Sequence, residues 1–196
     1  MAVTDALATA AEYRAEIDKV DTSEDAEVLV DLKMTTDYIT RRLGGRFFTK
    51  DAAAVARVYK PRSSIVLPVD DIVTLTSVKV DSAVDGTYET TLVVGTDFEL
   101  TPRNAALGSE PAPYEALERI TGSWVSTSRV QVTAVFGWPS VPGPVKSCCI
   151  QLTAIYRLET PRAQSQITDL GQVVGINANA RNLIEDLILH YGRVTL

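Results

Sequence analysis

The sequence predicts an α+β fold, with helices at both ends of the chain and an antiparallel β region between them. Three observations predict it. Apolar residues recur at helical spacing up to Leu43 and again from Val145 onward. Between residues 51 and 137 the period changes to two, in short runs rich in Val, Thr and Tyr separated by Pro or Gly. The stretch from Arg129 to Pro161 then joins the two regimes: an alternating strand stops at a Gly-Trp-Pro turn and passes through Pro139, Pro142 and Pro144 into an amphipathic helix.

Taken in order, Ala-rich residues Thr4 to Ile17 predict a first helix that Thr4 or Asp5 can cap. Thr22 and Asp25 open a second one in a Thr-x-x-Asp pattern, a weaker form of the capping box. Leu29, Leu32, Thr36, Ile39 and Leu43 alternate spacings of three and four, which gives one mostly apolar stripe. Gly44 and Gly45 end that helix, because glycine accepts the left-handed conformation at a C-terminus. Six strands are predicted next, over Val55 to Lys60, Ser64 to Leu67, Thr74 to Val80, Tyr88 to Val94, Phe98 to Leu100 and Arg129 to Phe136. Asp85-Gly86 marks a hairpin turn between Val80 and Tyr88. In the last strand Val130, Val132, Ala134 and Phe136 share one face, the pattern of a sheet covered on one side. Thr101 to Tyr114, with Pro102, Gly108, Pro111 and Pro113, is expected as a long surface loop that reaches a neighbour.

The helix after the joint starts near Pro144, where the missing N–H of proline costs nothing. Val145, Cys148, Cys149, Leu152, Ile155 and Tyr156 form its apolar face. Lys146, Ile150, Thr153 and Arg157 lie opposite, and Ile150 among them predicts that this second face is partly covered too. Glu159 to Ile176, with Pro161, Gly171 and Gly175, shows no helical period and is expected as an extended arm, with a short hairpin at Gln172 to Ile176. A final helix follows, capped by Asn177 or Asn179 and stopped by Gly192, with Ala180, Leu183, Ile184, Leu187, Ile188 and Tyr191 on one face. The expected division is 1–50 for N-terminal helices, 51–137 for the β region, 138–160 for the helix after it, and 161–196 for the arm and last helix.

Composition bounds the function. A chain of 196 residues, 45% hydrophobic, fits one elaborated domain or two small ones and is too apolar to be disordered. No apolar run approaches the roughly 18 residues of a membrane span, and the acidic start lacks the positive region of a secretory signal. The expectation is a protein made in the cytoplasm, without a membrane partner, and used there or assembled into something larger. A net charge of −6 argues against a dedicated nucleic-acid binder, yet permits a surface past which DNA slides. Cys148 and Cys149 are adjacent in a helix, where neighbours point about 100° apart, so they read as small buried apolar residues rather than a disulfide or metal site.

Catalytic patterns are scarce. One histidine, His190, leaves no His-rich zinc site and suits the negative end of a helix dipole. The common phosphate-loop, dinucleotide and esterase signatures do not occur. Asp81, Asp85 and Gly86 begin like a calcium loop, but Ala83 and Leu92 stand where ligands belong, so a hairpin turn explains them better. Asp70-Asp71 reads as a solvated turn and Glu24-Asp25 as the acidic first turn of a helix. Trp124 and Trp138 read as core or joint packing. Arg41, Arg42 and Arg46 either complement a helix dipole in solvent or touch a partner's acidic rim or passing DNA backbone. A carbohydrate-active hydrolase would need paired carboxylates in a cleft, and no spacing nominates them. No enzyme activity, metal or cofactor is expected.

In their order, five pieces resemble the head-to-tail connector (adaptor) proteins of long-tailed bacteriophages: TDYITRRLGGRF, SIVLPVDDIVTLTSVKVD, GTDFEL, the RVQVTAVFGWPSVPGPVKSCCIQLTAIYRLETP joint, and a terminal helix ending LILHYGRV. The resemblance implies a small helical bundle with an inserted antiparallel β domain. It also implies a homo-oligomeric, twelve-fold ring bound beneath the portal protein in the virion neck. Such a ring extends the channel for double-stranded DNA, which passes non-specifically, and offers a docking surface to a neck stopper or tail protein. The family's use of its C-terminal segment on the portal points to Ile184, Leu187, Ile188, Tyr191, Arg193 and Leu196 as portal-binding candidates, within Gln172 to Leu196. The rival expectation is another neck or tail ring, a stopper or tail-completion protein, which is typically a β-barrel without this helical frame.

Overall fold

A computed structural model describes residues 5–107, 111–166 and 178–192. It contains four helices and a six-stranded antiparallel sheet, an α+β fold. The chain divides into a helical unit, residues 1–46 and 141–196, and a β unit, residues 47–140.

In the helical unit, α1 (Ala10–Glu16) starts later than expected. Its cap is Thr9, whose Oγ1 accepts the Glu12 N–H at 3.2 Å while Glu12 Oε2 accepts the Thr9 N–H at 2.8 Å. This reciprocal box satisfies two donors that a start at Thr4 or Asp5 would leave to water. The segment before it is tied down instead, with Leu7 buried and its N–H donated to Thr36 Oγ1 at 3.0 Å. The next helix, α2 (Asp25–Arg42), has no side-chain cap at Glu24, so the Thr22 box does not form. Asp25 and Glu27 in its first turn face the positive end of the dipole instead. Gly44 and Gly45 follow it at φ 73° and 79°.

The buried face of α2 runs through Val28, Leu32, Thr35, Thr36, Ile39 and Thr40 to Leu43. Val28 takes the place expected for Leu29, which is exposed. α2 packs on α3 (Gly143–Gln166) through small side chains. Thr153 Oγ1 lies 3.0 Å from Thr35 Oγ1 and 2.8 Å from the Cys149 carbonyl, and Thr36 Oγ1 lies 3.6 Å from Cys149 Sγ. The hydroxyls of Thr35, Thr36 and Thr153 therefore have partners, which removes most of their desolvation cost. Ile150 and Thr153 are buried beside Val145, Cys148, Cys149 and Leu152, so both faces of α3 are covered here. Arg157 closes the end of the interface by donating to Asp31 Oδ2 at 2.6 Å and Glu24 Oε2 at 2.7 Å.

α3 continues through Glu159 to Gln166, where an extended arm was expected. Pro161 removes one backbone donor, but Arg162, Ala163, Gln164 and Gln166 are favourable helix formers and carry the helix past it. The expected hairpin at Gln172 to Ile176 lies outside the described residues, as does Asn177, one of the two expected caps. α4 (Ala178–Tyr191) buries Ile184 and Leu187 and ends at Gly192, whose N–H donates to the Ile188 carbonyl at 2.9 Å.

The sheet of the β unit runs β1 (Val55–Tyr59), β6 (Arg129–Phe136), β2 (Val66–Asp81), β5 (Tyr114–Arg119), β4 (Phe98–Thr101), with β3 (Thr90–Leu92) on the far end of β2. β6 alternates as its sequence requires: Val130, Val132, Ala134 and Phe136 are buried with Leu67, Ile72, Val78, Phe98, Leu117 and Trp124. Burying each large apolar side chain contributes roughly 1.5–3 kcal/mol before entropy is counted.

β2 unites two expected strands. Its register shifts between Pro68 and Ile72, again before Thr74, and again before Ser77. Such bulges place extra residues in one strand without ending it. Asp70 and Asp71 sit at the first shift rather than in a solvated turn. Asp71 is buried and accepts Trp138 Nε1–H at 2.9 Å, while Asp70 Oδ2 accepts from Arg57 at 2.8 Å and the Tyr59 hydroxyl at 2.9 Å. β5 (YEALER) was not expected at all, since it carries no β-branched residue.

Candidate functional site

The residues that could carry chemistry take up structural positions. Asp81, Asp85 and Glu89 bring carboxylate oxygens within 4.8 Å of one another. Asp81 is fully buried, however, and its carboxylate accepts the backbone N–H groups of Val84, Asp85 and Gly86 at 2.6, 3.2 and 3.0 Å. That is a hairpin turn held from within. Cys148 and Cys149 are buried, free thiols, and burial pushes them up to about 12 and about 11, so neither supplies a thiolate at neutral pH. Burial likewise raises the Tyr59 hydroxyl. His190 is exposed, with Nδ1 2.8 Å from the Asp186 carbonyl. Both tryptophans pack within the β unit: Trp138 lies 5.2 Å from Phe48, centroid to centroid, and the Arg119 guanidinium lies 4.8 Å over Trp124.

One groove of about 330 Å³ opens in the helical unit, floored by Tyr13, Ile17 and Val28. Its rim is charged but internally paired: Arg14 with Asp25, Lys19 with Glu24 at 3.0 Å, and Arg157 with Glu24 and Asp31. Each cation lining it is thus committed to a carboxylate, and none is left for an anionic ligand. Across the bundle Lys146 Nζ lies 2.7 Å from Glu12 and holds that carboxyl below its usual range, with the Thr9 N–H adding to the effect. A carboxyl depressed by folding contributes stability above its unfolded value of 4.5, and the contribution is lost as pH falls through the folded value. The Glu12→Gln variant should therefore lose less stability than wild type on acidification below pH 4.5, as denaturant midpoints at stepped pH will read.

The arginine cluster is split. Arg41 and Arg42 are exposed, whereas Arg46 is buried and donates to the Tyr191 carbonyl at 3.0 Å. Arg46 thus joins the end of α2 to the end of α4 and is withdrawn from the set of partner or DNA contacts. The C-terminal candidates are split as well. Ile184 and Leu187 are buried in the helical unit and Ile188 and Tyr191 partly so, which makes them anchors of α4 within its own chain. Arg193 and Leu196 lie outside the described residues.

The outward face of α2 was not expected to be apolar. Val30, Met34 and Tyr38 are 58%, 51% and 38% exposed, on the side away from Leu32 and Ile39. The signal was present in the sequence as a second row of apolar residues at i, i+4 and i+8, off the core stripe.

The fold is shared with solved structures. A chain of the neck of a native gene transfer agent (GTA) particle computed with C12 symmetry is similar with TM-score 0.52 and 17% identity, over 95% of this chain and 88% of that one. A chain of the virion of a native GTA particle is similar with TM-score 0.52 and 18% identity, over 97% and 91%. No protein-family model matches the sequence. No curated protein matches it either.

Proposed function

We propose that this chain is a structural neck subunit of a phage-like virion, a head-to-tail connector that forms a twelve-fold ring beneath the portal. The ring extends the DNA channel and offers its far side to a stopper or tail protein. The observation that carries this reading is the fold shared along 95% of the chain with a neck component computed with C12 symmetry. Three others support it. Among the described residues, Cys148 and Cys149 are buried in packing, Asp81 closes a hairpin turn, and Glu12, Glu24 and Asp31 are taken up in ion pairs. The overall charge of −6 lets DNA slide past without being held. The helical frame also separates the chain from the β-barrel stoppers. Its place is the neck of the assembled particle, reached from the host cytoplasm, and no described helix is long and apolar enough to cross a membrane.

Portal attachment falls to the end of the chain. Removing Gln172 to Leu196 takes α4 away and uncovers the core that Ile184 and Leu187 fill, so that deletion disturbs more than attachment. Removing only residues 193–196 keeps α4 complete. Cosedimentation with purified portal should fall at least tenfold for this short deletion, with helicity by circular dichroism unchanged. Undiminished cosedimentation rules out the C-terminal attachment.

A further inference from the structure

The outward side of α2 carries a complete i+4 row: Ala26, Val30, Met34, Tyr38 and Arg42, all exposed. The sixteen steps from Ala26 to Arg42, at about 1.5 Å each, make this ridge about 24 Å long. Its charges differ in kind from those on the inner side. Asp25 and Asp31 are paired with Arg14 and Arg157, whereas Glu27, Lys33, Asp37, Arg41 and Arg42 have no ion-pair partner among the described residues. The ridge is therefore an apolar strip ending in two uncommitted arginines.

A surface of opposite character lies on α4. Opposite buried Ile184 and Leu187, its outward face presents Leu189, 80% exposed, with Glu185 and Asp186 on either side of it. Those carboxylates also have no cation partner among the described residues. An apolar ridge with a basic end and an apolar knob with an acidic frame are complementary, and they are different surfaces of one subunit. A closed ring needs such a pair, because its contacts are heterologous.

We propose that the α2 ridge of one copy packs on the outward α4 face of the next. Leu189 enters among Val30, Met34 and Tyr38, and Glu185 and Asp186 face Arg41 and Arg42. Desolvated apolar contact supplies the affinity, and the charge pairing sets direction and register. This assignment rests on the ring reading above and names the surface that closes the ring.

The test images full-length protein mixed with purified portal, by electron microscopy. Wild type should show an added ring. Met34→Glu with Tyr38→Glu should abolish it while the melting temperature stays within a few degrees, since both side chains are exposed. Arg41→Glu with Arg42→Glu, and separately Glu185→Arg with Asp186→Arg, should each reduce ring yield at least tenfold; the four changes combined should restore it. A persistent ring in the Met34/Tyr38 variant overturns the ridge. Failure of the combined variant to recover overturns the α4 pairing. A ring that forms but no longer attaches assigns the ridge to another protein and overturns the proposal. Absence of a ring even in wild type overturns the connector reading itself, and this inference with it.

Discussion

Gly137→Ala should strongly destabilise the β unit and lower its melting temperature by many degrees. Gly137 directly follows β6 at φ 112°, a conformation that L side chains rarely adopt. A Cβ placed there would stand 2.1 Å from the Thr49 carbonyl oxygen and 2.6 Å from Lys50 Cα, both backbone atoms that cannot swing away. The surroundings are pinned as well. Gly137 N–H donates to the Asp71 carbonyl at 2.8 Å, and the Phe136 carbonyl accepts the Asp51 N–H at 2.8 Å. Relief of the clash breaks one of these bonds or moves β6 off β1. Backbone strain and overpacking together cost about 3 kcal/mol or more, a large share of a small unit's stability. The readout is selective because both tryptophans, Trp124 and Trp138, belong to this unit. In Gly137→Ala their emission should lose its native signature well below the wild-type transition temperature. A fluorescence melt matching wild type within a degree or two would show that the site yields where the geometry says it cannot.

Leu32→Ala should be the costliest single change in the helical unit, at roughly 3–4 kcal/mol. Leu32 is 0% exposed at the centre of the α2 stripe, and its carbonyl lies 3.8 Å from Cys149 Sγ across the contact with α3. Thr35 and Thr36, the next turn of α2, and Thr153 across on α3 are held by hydrogen bonds. Relaxation is therefore limited and most of the cavity term remains. Met34→Ala, two residues on and exposed on the other side of the helix, should cost no more than about 0.5 kcal/mol. Urea titrations followed by far-UV circular dichroism compare the two. Equal midpoints would mean that α2 is not packed through this face.

The α+β class was legible because the hydrophobic period changes twice along the chain, and β6 shows why. Arg129–Phe136 alternates without interruption and is a strand at its expected limits. β2 was legible only as two pieces, because Asp70 and Asp71 look like a turn until bulges and the partners Trp138, Arg57 and Tyr59 take up their carboxylates. Those partners come from elsewhere in the sequence, and periodicity does not see them. β5 was illegible since its place depends on pairing with β2 and β4 rather than on its own residues.

The contact surfaces followed the same rule. Exposed Arg41 and Arg42 were identifiable from local sequence, but the burial of Arg46 on the Tyr191 carbonyl depends on a residue far along the chain. The apolar face of α4 was correctly marked as apolar. Its covering by the chain itself is a tertiary fact, which moves the emphasis from Ile184 and Leu187 to the opposite face around Leu189. The ridge on α2 is different in kind, because Val30, Met34 and Tyr38 stand at i, i+4 and i+8 and local spacing alone places them on one face.

Cryo-electron microscopy of the protein mixed with purified portal should show one added layer beneath the portal, with twelve copies of this fold around an open channel. Portal particles without that layer, at saturating protein, would contradict the connector reading.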